Sequence, residues 1–179
     1  INNLGITFAK LRQLEDAIFY FNKAININPK FTDAYLNLAD IYSDLGNIES
    51  AIKNCELSLE LNSNLARAQL TLGNLFKNIN KDNDAIKAYE KALTLDPNNY
   101  TTYNNLANVF VRVKRLDEAI NFYKKAFDLN KECMSALSSY IFQKMSIFDW
   151  SVIKEFSGIK DIIGITGEAI SPFFTLTLE

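Results

Sequence analysis

The chain repeats itself every 34 residues. The segment AYLNLA at Ala34–Ala39 recurs as AQLTLG at Ala68–Gly73 and as TYNNLA at Thr102–Ala107, and INNLG at Ile1–Gly5 keeps the same register. A second signature ends in Ala-Ile and has the same period; its copies begin at Asp16, Ser50, Asp84 and Glu118. A fixed period of this length predicts units that cannot bury an apolar face alone and therefore stack in a row.

Each unit carries two stripes of apolar residues with helical spacing. In the second copy, the first stripe runs from Tyr35 to Leu45, with members at i, i+3, i+4, i+7 and i+10. The dipeptide Gly46-Asn47 interrupts it, and a second stripe runs from Ile48 to Leu59. This spacing predicts two antiparallel helices of about 14 residues joined by a short turn. The predicted fold class is all-α, a solenoid of antiparallel helix pairs.

Small side chains recur where the two helices of a unit must approach each other. In the first helix they are Gly5, Ala39, Gly73 and Ala107, and in the second Ala17, Ala51, Ala85 and Ala119. A larger side chain at such a contact would overpack it and cost about 1–3 kcal/mol.

The recurring large, small, aromatic, alanine and proline positions together resemble the tetratricopeptide repeat family over about residues 1–131. The resemblance implies a right-handed superhelix whose first helices line a concave groove. It also implies a module that binds proteins or peptides and does no chemistry itself. Some positions depart from the family pattern: Cys55 replaces an aromatic residue, and Asn80 and Lys114 replace the usual turn glycine.

The period predicts four repeats followed by a region that does not repeat. The repeats are a truncated first unit at 1–31 and then units at 32–65, 66–99 and 100–133. Residues 134–179 are predicted as an incomplete fifth unit, a capping helix and a non-repeat tail. Because the chain opens at Ile1 rather than at a methionine, we expect a fragment of a longer protein.

By the family resemblance, two columns of first-helix residues face the groove. One column holds Asn3, Asn37, Thr71 and Asn105, and the other holds Ile6, Asp40, Asn74 and Asn108. Neighbouring candidates are Asn2, Asn104, Arg67, Ser43, Lys77 and Arg112. Asparagine both donates and accepts, so these columns predict an amide ladder that holds an extended peptide by its backbone. Chance is the alternative explanation, since the chain contains 21 asparagines.

Three acids share a broad face of one predicted helix: Asp33, Asp40 and Asp44. They favour a solvated helix surface, with a metal or basic-peptide contact as the alternative. Some members of the family bind the terminal carboxylate of chaperones with lysines and an arginine at set positions. That cluster of positive charge is missing here, and Asp40 would repel a carboxylate.

Composition excludes several classes of function. The chain has no histidine, so it holds no Ser-His-Asp triad or Cys-His dyad. We expect no catalytic residue, cofactor or metal site. The net charge of −2 argues against nucleic acid as a partner, and the short apolar runs argue against a membrane span. Two distant cysteines predict a reducing, cytoplasmic setting.

The tail supports two interpretations. Phe148-Asp149-Trp150, an amphipathic stretch and then Ser171-Pro172-Phe173 resemble the junction between repeats and catalytic domain in bacterial O-GlcNAc transferase and SPINDLY-like proteins. This resemblance implies that the chain is the substrate-docking arm of a glycosyltransferase. The alternative is a stand-alone adaptor whose tail caps the solenoid. A third class, a self-associating scaffold, is suggested by the apolar helix face exposed at the truncated first copy.

Overall fold

The computed structural model describes residues 1–149 and 151–152. Within them the chain forms nine helices and no strand: α1 (Asn2–Lys10), α2 (Leu14–Ile27), α3 (Thr32–Asp44), α4 (Ile48–Leu61), α5 (Ala66–Asn78), α6 (Asp82–Leu95), α7 (Tyr100–Arg112), α8 (Leu116–Leu129) and α9 (Met134–Ser146). The predicted all-α solenoid of antiparallel helix pairs is confirmed. None of these helices is long and apolar enough to cross a membrane.

The helices keep the period of the sequence. From the second unit on, every first helix has 13 residues, and all four second helices have 14. Helix α1 has only 9 residues because the chain enters the first unit late. Helix α9 starts 34 residues after α7, so the register continues beyond the fourth pair.

The turn after each first helix contains one residue in the left-handed region. These residues are Arg12, Gly46, Asn80, Lys114 and Phe148, with φ between 60° and 75°. Only one of them is glycine, so the turn keeps its conformation without the residue that adopts it most easily. A non-glycine side chain pays about 1–2 kcal/mol for this backbone. Replacing the turn glycine therefore destabilises the turn locally but does not interrupt the array.

The first helices form one continuous surface. Each helix packs against the next in sequence, and α1 also contacts α3, α3 contacts α5, and α5 contacts α7. Direct contacts between alternate helices bring the first helices closest together, as on the concave side of a curved row. We call the surface formed by α1, α3, α5 and α7 the inner face.

Close contact between the helices of a pair explains the small residues. A Cβ atom on Gly5 would lie 2.6 Å from the Phe21 ring, and one on Gly73 would lie 2.5 Å from the Tyr89 ring. Real Cβ atoms do not approach that closely, so at these two positions only glycine fits without a shift. The second-helix alanines Ala17, Ala51, Ala85 and Ala119 are fully buried.

The last described helix closes the core of the fourth pair. Leu137, Tyr140 and Ile141 from α9 are buried in one apolar cluster with residues of α6, α7 and α8, and Val152 joins it. Cys55 is buried as expected for a core residue, Cys133 is partly exposed, and both thiols are free. Trp150 and residues 153–179, which carry most of the predicted tail features, lie outside the described residues.

Candidate functional site

The predicted ladder asparagines lie on the inner face, but they are held in two different ways. In the first half, between α1 and α5, polar side chains bind one another across the helices. In the second half, between α5 and α9, buried tyrosines hold the asparagines from behind. We call the first arrangement the arginine network (Asn2, Asn37, Asp40 and Arg67). We call the second the tyrosine clusters (Asn74, Tyr89 and Asn105; Asn108, Tyr123 and Ser139).

The arginine network is centred on Arg67, which reaches from α5 to α3. Its Nη2 donates to Asp40 Oδ2 at 2.6 Å and to Asn37 Oδ1 at 3.1 Å. Asn37 Nδ2 in turn donates to Asn2 Oδ1 at 3.2 Å. Both ends of the Asn37 amide are therefore occupied. The ion pair is half exposed, so it contributes at most about 1 kcal/mol, and its main effect is to occupy these groups.

The predicted acidic face of α3 is partly neutralised. Besides the Asp40–Arg67 pair, Asp44 Oδ2 accepts a hydrogen bond from Arg12 Nη1 at 3.0 Å. A cleft of about 280 Å³ lies here, lined by Ile6, Ala9, Lys10, Phe21, Asn37, Asp40, Ile41 and Asp44. Within the described part of the chain, no group of three or more carboxylates and thiols could hold a metal ion.

The first tyrosine cluster joins three helices. Tyr89 OH, from α6, donates to Asn74 Oδ1 on α5 at 2.7 Å. Asn105 Nδ2, from α7, donates to the same oxygen at 3.0 Å. Tyr89 is fully buried, and burial raises the pKa of its phenol far above the usual value. The phenol therefore stays protonated and acts as a donor.

The second tyrosine cluster repeats the first one unit later. Tyr123 OH, from α8, donates to Asn108 Oδ1 on α7 at 2.7 Å. Burial raises the pKa of Tyr123, and a hydrogen bond with Ser139 on α9 partly offsets this rise. Ser139 follows Asn105 by one repeat period of 34 residues, but it binds the tyrosine, whereas Asn105 binds the amide oxygen of Asn74.

The tyrosine clusters fix which end of each amide faces outward. The Oδ1 atoms of Asn74 and Asn108 are used inside the protein. Their Nδ2 atoms hydrogen-bond to no described residue, and neither nitrogen belongs to the buried atoms that lack a partner. Both NH₂ groups are therefore open to solvent as donors. Asn105 keeps its Oδ1 as an acceptor beside them.

Two basic residues stand one helical turn beyond these amides. Arg112, on α7, donates to the Lys77 carbonyl at 2.9 Å and to Asn80 Oδ1 at 2.6 Å. It also pairs with Asp82 at 3.0 Å. Lys77, on α5, is half-buried, and burial followed by the charge of Arg112 lowers its pKa. No described acid forms an ion pair with Lys77.

The remaining candidates are spread over the face. Asn3 is exposed on α1, and Thr71 and Ser43 are half-buried on α5 and α3. Asn104 differs from its neighbours because its Oδ1 is buried and has no hydrogen-bond partner among the described residues. This oxygen is therefore turned away from solvent. Ile6 lines the cleft of the first half.

Sequence reasoning missed the two tyrosines as supports for the groove, although a signal was present. Each tyrosine follows its asparagine by 15 residues. The corresponding pairs in the first two units are Ile6 with Phe21 and Asp40 with Cys55. In this one of the two groove columns, an amide thus occurs only where a hydroxyl occurs behind it, and this covariation is readable from the repeat alignment.

Comparison with solved structures supports the fold. A structure titled "Crystal structure of MamA" superposes with a TM-score of 0.78 at 21% identity, covering 92% of this chain and 97% of that one. A second structure, titled "Functional Characterization of Pseudomonas Aeruginosa pilF", superposes with a TM-score of 0.82 at 20% identity, covering 94% of this chain and 76% of that one. At these identities the likeness shows the fold alone. A search of curated protein sequences found no match.

Sequence profiles of one family match along the repeats. Three described as "Tetratricopeptide repeat" match residues 1–31, 20–53 and 100–133, and one described as "TPR repeat" matches residues 73–114. Together they cover residues 1–53 and 73–133, well over half of the chain. The chain therefore belongs to the tetratricopeptide repeat family.

Proposed function

We propose that the chain binds an extended segment of a partner protein along its inner face. The observation that carries this proposal is the pair of solvent-facing amides, Asn74 and Asn108, whose orientation is fixed from behind by buried tyrosines. Donors held in place before binding lose little conformational entropy when a ligand arrives.

The family supports a binding role. Tetratricopeptide repeats generally bind proteins or peptides and are generally not catalytic. An extended peptide presents carbonyl oxygens and amide hydrogens in alternation, which suits the Asn74 and Asn108 donors and the Asn105 acceptor. At about 0.5–1.5 kcal/mol for each hydrogen bond, these three groups contribute about 1.5–4.5 kcal/mol, which alone corresponds to weak binding with an affinity of about 1 mM or weaker.

A peptide selected on the protein itself tests this proposal. Random 12-residue peptides displayed on phage are selected on the immobilised chain, and their synthetic forms are titrated by calorimetry. The groove variant is Asn74→Asp with Asn108→Asp, which keeps the oxygen that each tyrosine needs and removes the outward NH₂ groups. The control is Lys87→Gln on α6, away from the inner face.

We expect the groove variant to lower the affinity for the selected peptides at least fivefold, while the control changes this affinity less than twofold. Circular dichroism and thermal melting establish that both variants fold. Selected peptides that respond to the control but not to the groove variant would place the binding surface elsewhere and remove the proposal.

We make two alternative proposals for the kind of protein that contains this module. The first is an O-GlcNAc-transferase-like enzyme in which this module selects substrates; it rests on Phe148-Asp149-Trp150 and Ser171-Pro172-Phe173, most of which lie outside the described residues. The second is a stand-alone adaptor. The reading frame beyond Glu179 distinguishes them, because several hundred further residues of alternating strand and helix would support the first proposal and a nearby stop codon the second.

Two smaller proposals concern assembly and location. Ile1, Leu4 and Phe19 are exposed apolar side chains at the first pair, which favours self-association there. Light scattering over a concentration series, with Leu4→Ser as the variant, tests this. The free thiols of Cys55 and Cys133 favour a reducing, cytoplasmic setting, which fractionation of the source cell would test.

A further inference from the structure

We infer that the bound segment is acidic and that it seats on α5 and α7, between the outward amides of Asn74 and Asn108 and the cations of Lys77 and Arg112. This inference rests on the proposed function and adds to it the charge of the partner and its place on the face.

The four residues form one compact group on two adjacent helices. Lys77 follows Asn74 by three positions on α5, and Arg112 follows Asn108 by four on α7. Residues at these spacings lie on the same side of a helix, about one turn apart. The helices are in direct contact, and Arg112 joins them through its hydrogen bond to the Lys77 carbonyl. Amide donors and cations are therefore within reach of one short peptide.

The charge of this group is not balanced within the described residues. Arg112 is paired with Asp82, whereas Lys77 is half-buried beside Arg112 and forms no described ion pair. The carbonyl ends of α5 and α7 lower the cost of holding two cations there, but helix dipoles do not cancel a full charge. A carboxylate at this place would offset the repulsion between Lys77 and Arg112. It would also compensate the Lys77 ammonium group for the hydration that burial removes.

The first half of the inner face does not offer the same chemistry. There Arg67 already binds Asp40, and the Asn37 amide is hydrogen-bonded at both ends. Lys10 lines the same cleft as Asp40 and Asp44, so its charge lies among acids. An acidic segment is therefore directed to α5 and α7.

Three probes of equal length separate charge from general binding. They are fluorescein-labelled 10-residue peptides that alternate glycine with glutamate, with glutamine or with lysine, titrated by fluorescence polarisation at low and high salt. The test variant is Lys77→Gln. The control is Lys87→Gln on α6, which removes the same charge from another surface.

We expect the glutamate probe to bind at least fivefold more tightly than the glutamine probe, and the lysine probe to bind most weakly. Lys77→Gln should reduce the glutamate probe to the level of the glutamine probe, while Lys87→Gln leaves it within twofold. High salt should remove most of the difference.

Equal binding of the glutamate and glutamine probes, no binding of the glutamate probe up to millimolar concentration, or equal effects of the two lysine variants would each overturn the inference. Peptides selected from the phage library that bind the groove without acidic residues would also overturn it, and in that case the proposed function would stand. If the selected peptides ignore the Asn74 and Asn108 substitutions, the proposed function itself fails.

Discussion

The two halves of the inner face come from the same repeat, yet they hold their polar side chains in opposite ways. In the first half, Asn37 and Asp40 are bound across the surface by Arg67. In the second half, Asn74 and Asn108 are bound from the interior by Tyr89 and Tyr123. The first arrangement engages the Asp40 carboxylate and both ends of the Asn37 amide at the surface, whereas the second engages only the inner oxygens of Asn74 and Asn108.

The difference originates at one position of the second helix. Where that position holds Phe21 or Cys55, no hydroxyl reaches the groove residue. Where it holds a buried tyrosine, the phenol needs an acceptor, because an unpaired buried hydroxyl costs about 1–3 kcal/mol. A core residue on the second helix thus determines how the surface residue that it contacts on the first helix can interact.

The largest expected effect comes from crowding the ring that supports the second half. In Gly73→Ala, the new Cβ would lie 2.5 Å from the Tyr89 ring, and this ring is fixed by its hydrogen bond to Asn74. We expect a loss of about 2–3 kcal/mol in the free energy of unfolding, measured by urea titration. Gly5→Ala is the matched variant in the first half, where the crowded Phe21 has no hydroxyl to hold it. An equal or larger loss in Gly5→Ala would contradict the special role of the second half.

Removing one hydroxyl tests the support itself. Tyr89→Phe takes away the donor to Asn74 without changing the size of the ring. We expect a loss of about 1 kcal/mol in urea titration and a weaker glutamate-probe complex. Tyr20→Phe is the control, because Tyr20 stacks on Phe8 and hydrogen-bonds to no described residue. If both variants lose the same stability, the Tyr89 hydrogen bond contributes nothing specific.

The turns of the second and fourth pairs also differ. The second pair turns at Gly46, whereas the fourth turns at Lys114 with φ of 64°. We expect Lys114→Gly to raise the melting temperature, corresponding to a gain of about 0.5–1 kcal/mol, because glycine adopts this backbone without strain. Gly46→Lys should lose a similar amount. No change in either direction would mean that the turns carry no strain.

The smallest expected effect is in the arginine network. Arg67→Gln removes a half-exposed ion pair, so we expect a change in stability of about 0.5 kcal/mol or less, which shrinks further in 1 M salt. The glutamate probe should bind this variant as it binds the unmodified protein. A loss of probe binding similar to that of Lys77→Gln would show that the first half also takes part.

Much of the fold was predictable from sequence because the period fixes it locally. Gly73 and Ala85 mark helix contacts in any unit of this kind, and the column that contains Asn37 and Asn105 follows from the same register. Long side chains were not predictable in this way. Arg67 binds Asp40, which lies 27 positions away, and Arg112 binds Asn80, which lies 32 positions away. Which partner such a long side chain reaches on the neighbouring helix depends on the curvature of the array. The Asn74–Tyr89 pairing lies between these cases, since its regular spacing is visible in the repeat alignment.

The central claim is that only the second half of the inner face presents amide donors that a buried tyrosine holds from behind. The side-chain NH₂ signals in a ¹⁵N–¹H correlation spectrum report on it directly during titration with the glutamate probe. The account predicts that the signals of Asn74 and Asn108 shift together and that the Asn37 signal stays in place. A shift of Asn37 with Asn74 and Asn108 unmoved would contradict it.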